Sequence, residues 1–102
     1  MAIIEWSEPA LTDVALIRDY LATESPQYAR RWVVRIFEAA EPLELFPQQG
    51  RKVPEATPRT DIRELIVQGY RLIYWTNGQQ VTMLAVVHGS RPLEQLTMLP
   101  WE

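Results

Sequence analysis

The fold is decided by the segment from residue 61 to residue 88, which has the sequence DIRELIVQGYRLIYWTNGQQVTMLAVVH. Its apolar side chains recur at every second position, which is the period of a β-strand with one buried face. The pairs Gln68-Gly69 and Asn77-Gly78 interrupt this period, and Asn-Gly favours a type I′ hairpin turn because both central residues need positive φ. The segment therefore predicts three antiparallel strands, at residues 61–67, 70–76 and 79–88.

Two-residue turns at both places fix which side chains share a face of this sheet. The first face is nearly all apolar and is predicted to pack against helices. It consists of Arg63, Leu65, Val67, Tyr70, Leu72, Tyr74, Val81, Met83, Ala85 and Val87. The second face mixes apolar and charged side chains, which predicts a surface that is partly exposed or covered by a partner. It consists of Ile62, Glu64, Ile66, Arg71, Ile73, Trp75, Thr82, Leu84, Val86 and His88.

Two helices are predicted between a short first strand at residues 2–6 and this meander. Ser7 and Ser25 are each followed within two residues by a proline, a pattern typical of a helix N-cap. Apolar residues recur three and four apart in both segments, most clearly from residue 29 to residue 40. The second helix is expected to kink or end near Pro42. With almost no linker, the helices form a hairpin whose apolar stripes cover the first face.

The remaining segments are a proline-rich loop and an apolar tail. Residues 47–59 hold three of the eight prolines and have no usable period, so they are predicted to form a loop. Residues 92–102 form a C-terminal tail that is too apolar to be a simple solvated end. The order of elements predicts one α+β domain over residues 1–102, β-α-α-β-β-β, with the helical hairpin packed on an antiparallel sheet.

Composition excludes several classes of protein. The chain has 102 residues, a formal charge of -3, one histidine and no cysteine, which excludes a disulfide scaffold and a usual zinc site. No glycine loop suited to phosphates is present, and no cofactor is expected. The acidic balance argues against a protein whose main function is to grip nucleic acid. The chain has no run of about 18 apolar residues and no signal peptide, which predicts a cytoplasmic protein without membrane contact.

Six short motifs, taken together in their order and spacing, resemble the RelE/ParE toxin superfamily of bacterial type II toxin–antitoxin modules. They are Trp6-Ser7, Asp19-Tyr20-Leu21, Pro47 with Gly50-Arg51, Ile62-Arg63-Glu64-Leu65, Tyr70-Arg71-Leu72-Ile73-Tyr74 and Val87-His88-Gly89-Ser90-Arg91. The resemblance covers roughly residues 2–93, and no single motif is specific alone. It implies a toxin that a small antitoxin, encoded beside it, neutralises.

The superfamily contains two chemistries, and RelE-type members are ribosome-dependent messenger-RNA ribonucleases. A metal-free ribonuclease must activate a 2′-hydroxyl and stabilise a phosphorane, so it needs clustered cations and an acid or base. Aligned on the motif that contains Arg71, the lysine positions of the ribonucleases hold Ile62 and Glu64. A carboxylate close to Arg71 would neutralise that cation. The candidate catalytic residues of this alternative are Arg71, His88, Arg91 and Glu64, and three of them, Glu64, Arg71 and His88, share the predicted second face.

ParE-type members bind DNA gyrase and poison it, which requires a complementary surface and no catalytic residues. Residues 50–55, 62–65 and 88–91 look like that branch, so the sequence predicts a gyrase toxin neutralised by a ParD-like antitoxin. Contact with nucleic acid is expected only through the antitoxin complex on operator DNA. The predicted partner-binding residues are Arg63, Glu64, Arg71, Trp75, His88, Arg91, Leu96, Leu99 and Trp101. A third hypothesis is a non-toxic module that still binds an antitoxin.

Each candidate also has a purely structural interpretation. Arg63, Glu64 and Arg71 are predicted to form a charge network across adjacent strands. His88 is predicted to hydrogen-bond a neighbouring loop. Trp75 and the tail either form an apolar surface that the antitoxin or a second copy of the chain covers, or the tail folds back onto its own sheet. Three arginines on the polar side of the second helix either meet an acidic partner or are solvated; they are Arg30, Arg31 and Arg35.

Overall fold

Two helices pack on one face of a five-stranded sheet in the computed structural model, which describes all 102 residues. The elements are β1 (Ile3–Trp6), α1 (Glu8–Ala22), α2 (Pro26–Ala40), β2 (Arg51–Lys52), β3 (Ile62–Val67), β4 (Tyr70–Thr76) and β5 (Gln80–His88). Short 3₁₀ turns lie at Glu41–Glu44, Pro54–Ala56 and Leu93–Gln95. Neither helix has the length and apolar character needed to cross a membrane.

Both helices begin at the predicted serine caps. The Ser7 hydroxyl oxygen accepts a hydrogen bond from the Ala10 amide at 3.2 Å, and that of Ser25 accepts one from the Tyr28 amide at 3.1 Å. Each cap satisfies one of the first-turn amides that lack an intrahelical partner. Pro42 cannot continue the hydrogen-bonding pattern of α2, and the chain passes there into the first 3₁₀ turn. The predicted helical hairpin is confirmed.

The sheet is mixed, with the strand order β1-β5-β4-β3-β2. The pairs β5–β4 and β4–β3 are antiparallel as predicted, whereas β1 pairs parallel with β5, so the prediction of a purely antiparallel sheet is wrong. The additional strand β2 lies within the segment predicted to be a loop, and it pairs only with Arg63 and Glu64. A two-residue strand is too short to produce a period in the sequence, which is why the pattern missed it.

The two hairpin turns differ from the predicted assignment. Gln68 and Gly69 have φ values of 54° and 82°, so this pair forms the type I′ turn. At the second turn only Gly78 has positive φ, at 92°, and the Asn77 amide donates to the Gln80 carbonyl. The central residues are therefore Gly78 and Gln79, and glycine in the first central position is typical of a type II′ turn. The prediction of a type I′ turn at Asn77-Gly78 is wrong.

An irregularity in β5 after Met83 places the side chains that follow on the opposite faces of the sheet from those predicted. Tyr74 pairs with Met83 whereas Ile73 pairs with Ala85, so Leu84 is an extra residue. Because side chains alternate along a strand, one extra residue reverses the face of every residue that follows it. Four predicted positions are consequently wrong: Ala85 and Val87 lie on the second face, and Val86 and His88 lie on the first.

Each face of the sheet carries its own hydrophobic core. On the first face, helix residues such as Trp32 and Ile36 pack against Leu72 and Met83. The second face is covered by the chain itself, from the segment around the second 3₁₀ turn and from the tail. The buried members of this second core are Val53, Ala56, Ile62, Ile73, Ala85, Val87 and Leu93. The tail thus folds back onto its own sheet.

Candidate functional site

A network of four charged side chains, with two buried members and two exposed ones, lies on the second face. Glu64 and Arg71 are only 1% and 7% exposed. Glu64 accepts a hydrogen bond from Arg71 Nε through one carboxylate oxygen and from Arg51 Nε at 2.6 Å through the other. The two terminal nitrogens of Arg71 donate to both carboxylate oxygens of Glu55, at 2.9 and 3.0 Å. Two carboxylates therefore balance two guanidinium groups.

The hydrogen bonds of the network favour the charged forms of Glu55 and Arg71. Hydrogen bonding to Arg71 lowers the pKa of Glu55, although partial burial opposes this shift. The pKa of Arg71 is raised, first by the hydrogen bonds it donates to Glu55 and then by its hydrogen bond to Glu64 and the charges of both carboxylates, against the effect of burial. A guanidinium binds anions through its N–H groups, but each of the three nitrogens of Arg71 already donates a hydrogen bond to a carboxylate of its own chain. Arg71 is thereby neutralised, as the sequence predicts.

Arg63 does not belong to this network, and its predicted membership is wrong. Because Arg63 lies on the first face, its guanidinium donates instead to the carbonyls of Gln48 and Gly50, at 3.2 and 2.9 Å. The Gly50 amide also donates to the Tyr74 hydroxyl at 3.0 Å, and that hydroxyl donates to the Pro47 carbonyl at 2.9 Å. These bonds fasten the start of the proline-rich loop to the sheet.

His88 lies on the first face, away from Glu64 and Arg71. Its ring meets the Tyr70 ring edge-on with centroids 5.2 Å apart, and its Nδ1 accepts from the Ser90 amide at 3.1 Å. The predicted hydrogen bond to a neighbouring loop is confirmed. The predicted grouping of Glu64, Arg71 and His88 on one face is wrong, because the bulge at residue 84 reverses the face of His88.

His88 and the exposed Arg91 line an open cleft of about 320 Å³ between α1 and the end of β5. Asp13 also lines the cleft, and its carboxylate accepts from the Val86 amide at 2.9 Å. Burial raises the pKa of Asp13, while this hydrogen bond and the charge of Arg91 oppose the shift. The cleft therefore holds a carboxylate as well as its one guanidinium, and the negative charge opposes the binding of a phosphate group.

The structure brings together the four apolar residues predicted to bind a partner. Trp75, Leu96, Leu99 and Trp101 are half-buried and pack against the second core. The Trp75 indole donates to Asp61 at 3.0 Å, and Asp61 forms an ion pair with Arg59. Trp75 and the three tail residues Leu96, Leu99 and Trp101 form a partly exposed apolar surface, which we call the tail surface.

The sequence did not identify Glu55, Arg51 or Asp13 as partners of the candidate residues. Arg51 reaches Glu64 only because the two-residue strand β2 places it opposite that residue. Glu55 reaches Arg71 across 16 positions of the chain. The one sequence signal for Glu55 was its place in the motif of residues 50–55, and its distance in sequence from Arg71 did not indicate a contact.

Comparisons with known proteins identify the family of this chain. Residues 4–93 match the family model described as the ParE toxin of the type II toxin–antitoxin system parDE. The chain is 35% identical over 92 residues to Toxin RelE2 of Caulobacter vibrioides, an alignment that covers 89% of this chain and 99% of that protein. It also resembles a solved chain of the chromosomal ParDE TA system from P. aeruginosa, with a TM-score of 0.71 and 24% identity, over 86% of this chain and 96% of that chain. At that identity, the solved structure shows the fold alone.

Proposed function

Because this chain belongs to the ParE toxin family, and is therefore the toxin of a type II toxin–antitoxin system, we propose that it acts on DNA gyrase. In this proposal it binds gyrase, stabilises the cleaved-DNA state and blocks replication. A cognate ParD-like antitoxin binds the toxin and prevents this action. The proposed place of action is the cytoplasm, where gyrase and DNA are found.

The state of Arg71 is the observation that carries the choice of gyrase over messenger RNA. A ribonuclease without a metal needs cations that are free to stabilise the phosphorane. Arg71 is buried, and each of its three nitrogens donates a hydrogen bond to Glu64 or Glu55. Apolar side chains of the second core cover the same face. A phosphate group approaching Arg71 would have to displace both the carboxylates and the apolar side chains that cover this face.

The position of His88 supports the same choice. A proton donor or acceptor for RNA cleavage must stand within hydrogen-bonding distance of the reacting oxygens, together with the cations. His88 and Arg71 lie on opposite faces of the sheet, so they do not form one site around a phosphate. Binding a protein target needs no such convergence.

We also propose the tail surface as the contact for the antitoxin. Trp75, Leu96, Leu99 and Trp101 present aromatic and aliphatic groups that an apolar helix of a partner could cover. Glu64 and Arg71 are buried on the same face of the sheet, so their role in partner binding would be to support this surface. Arg63, His88 and Arg91 are proposed as secondary contacts on the other face.

The second candidate function is a ribosome-dependent ribonuclease, which the name of the relative Toxin RelE2 favours. Its remaining exposed candidates are His88 and Arg91, since Arg71 is buried. Both are accessible side chains that can be replaced without disturbing either core.

One paired assay tests the proposal. Purified protein is added to gyrase with supercoiled DNA, and separately to translating ribosomes with mapping of message ends. Gyrase-dependent linear DNA with intact message supports the proposal, whereas codon-positioned cuts contradict it and support the ribonuclease. Inactivity in both assays supports the non-toxic module. The variant H88A/R91A is the matched control, because a ribonuclease that depends on these residues loses its activity and a gyrase toxin keeps it.

A further inference from the structure

The outer side of α2 carries three arginines that nothing in the chain engages. Arg30, Arg31 and Arg35 are exposed, and none of them forms a hydrogen bond or an ion pair. Together with Val34 and Glu38 they line an open hollow of about 280 Å³, which we call the arginine patch. Four other arginines of the chain do form ion pairs: Arg18, Arg51, Arg59 and Arg71.

The arginine patch is unfavourable for the isolated chain. Arg31 and Arg35 stand four residues apart on a helix, where like charges repel each other. The chain as a whole carries a formal charge of -3, yet Glu38 is the one acidic residue among the five that line the patch, against three arginines. We therefore expect the positive charge of the arginine patch to be complemented by a negatively charged group of another molecule.

The chemistry of the patch favours a protein segment over nucleic acid. Val34 lies between the arginines and is 55% exposed, and a phosphate backbone offers no apolar group to cover it. An acidic protein segment with an apolar side chain between its carboxylates can both pair with the arginines and cover Val34, because arginine binds carboxylates with two parallel hydrogen bonds.

We propose that the arginine patch of α2 docks an acidic segment of the target protein, an inference that rests on the proposed action on gyrase. The position of the patch distinguishes the target from the antitoxin. α2 packs on the first face of the sheet, whereas the tail surface proposed for the antitoxin belongs to the second face. The arginine patch and the tail surface, which is the main contact proposed for the antitoxin, thus lie on opposite sides of the sheet.

The test measures binding of the full chain to immobilised gyrase holoenzyme. The variant R31Q/R35Q removes two charges of the patch, and R18Q/K52Q removes two exposed charges elsewhere, so both variants have the same net charge. We expect R31Q/R35Q to lose about tenfold in affinity and the control to change by less than about twofold. Circular dichroism melts check folding, which neither variant should impair, since none of the replaced side chains is buried.

Each outcome decides a specific point. If the unchanged chain binds gyrase and R31Q/R35Q binds equally well, the arginine patch is not the docking surface while the proposed function stands. If both variants weaken equally, the effect is one of net charge and the inference fails. If the unchanged chain does not bind gyrase, the proposed function fails and the inference with it. A 20-base-pair duplex is the second probe, and a loss of DNA affinity by R31Q/R35Q with gyrase binding intact would assign the patch to nucleic acid.

Discussion

Replacing Arg71 by methionine should destabilise the fold severely, because it leaves a carboxylate buried without its main partner. The substitution removes one hydrogen bond to Glu64 and two to Glu55. Glu64 then keeps only Arg51, whose side chain is largely exposed. Breaking a buried ion pair from one side costs about 3–5 kcal/mol in the free energy of unfolding. We expect a loss near the lower value, because Arg51 continues to compensate Glu64.

The reverse substitution should cost less. In Glu64→Met, Arg71 retains both hydrogen bonds to Glu55, and the freed Arg51 is solvated. We expect a loss of about 2 kcal/mol, because the buried charge that remains is still paired. The double variant E64M/R71M places two apolar side chains in the site, and its loss should fall short of the sum of the single losses by about 1–2 kcal/mol.

Urea denaturation followed by tryptophan fluorescence at neutral pH measures the three free energies of unfolding. Additive losses, or single losses below about 1 kcal/mol, would refute the argument that the network is a coupled, buried structural element.

The pH dependence of the free energy of unfolding gives an independent check. Since the pKa of Glu55 is lower in the folded chain, its stabilisation is complete above its ordinary pKa of 4.5 and disappears as the pH falls through the lowered value. This part of the acid sensitivity should be absent from the Arg71→Met variant.

Three further predictions concern other parts of the molecule. Gly50→Ala should lower stability by about 1–3 kcal/mol in thermal melts, since its Cβ would lie 2.6 Å from a backbone oxygen of β3; an unchanged midpoint would contradict this packing. Burial raises the pKa of Asp13, so its contribution to stability is complete at low pH and declines as the pH rises through the raised value. Asp13→Asn keeps an acceptor for the Val86 amide and should abolish that decline in melts from pH 4 to pH 8, so a persisting decline would point to another group. Expression of H88A/R91A should arrest growth as strongly as the unchanged chain; loss of arrest in a folded variant would favour the ribonuclease.

Much of the fold follows from local sequence. Ser7 and Ser25 cap their helices within three residues, and positive φ at Gln68-Gly69 closes a turn between adjacent strands. The helical repeat of α2 places Trp32 and Ile36 in the core. These features depend on interactions between residues that are near in sequence, so a single sequence contains their causes.

The site was less predictable. The sequence correctly associated Glu64 with Arg71, because adjacent antiparallel strands bring such pairs together. It misplaced His88, because one extra residue at position 84 reverses the faces of the strand end and leaves no mark on the alternation. Asn77-Gly78 carried the stronger turn signal, yet its central residues are displaced by one position, since the register of the whole hairpin outweighs the preference of one dipeptide.

By itself, then, the sequence determined the helical hairpin, the meander and the family, since caps, turns and periodic apolar positions are local and recur in fixed order. Only the tertiary structure decided which charges meet and what covers the second face. Glu55 and Arg51 reach the network through a two-residue strand and a short turn, while the tail packs against the second core. Such contacts join residues distant in sequence, and their free energy depends on burial and geometry that exist only once the sheet has formed.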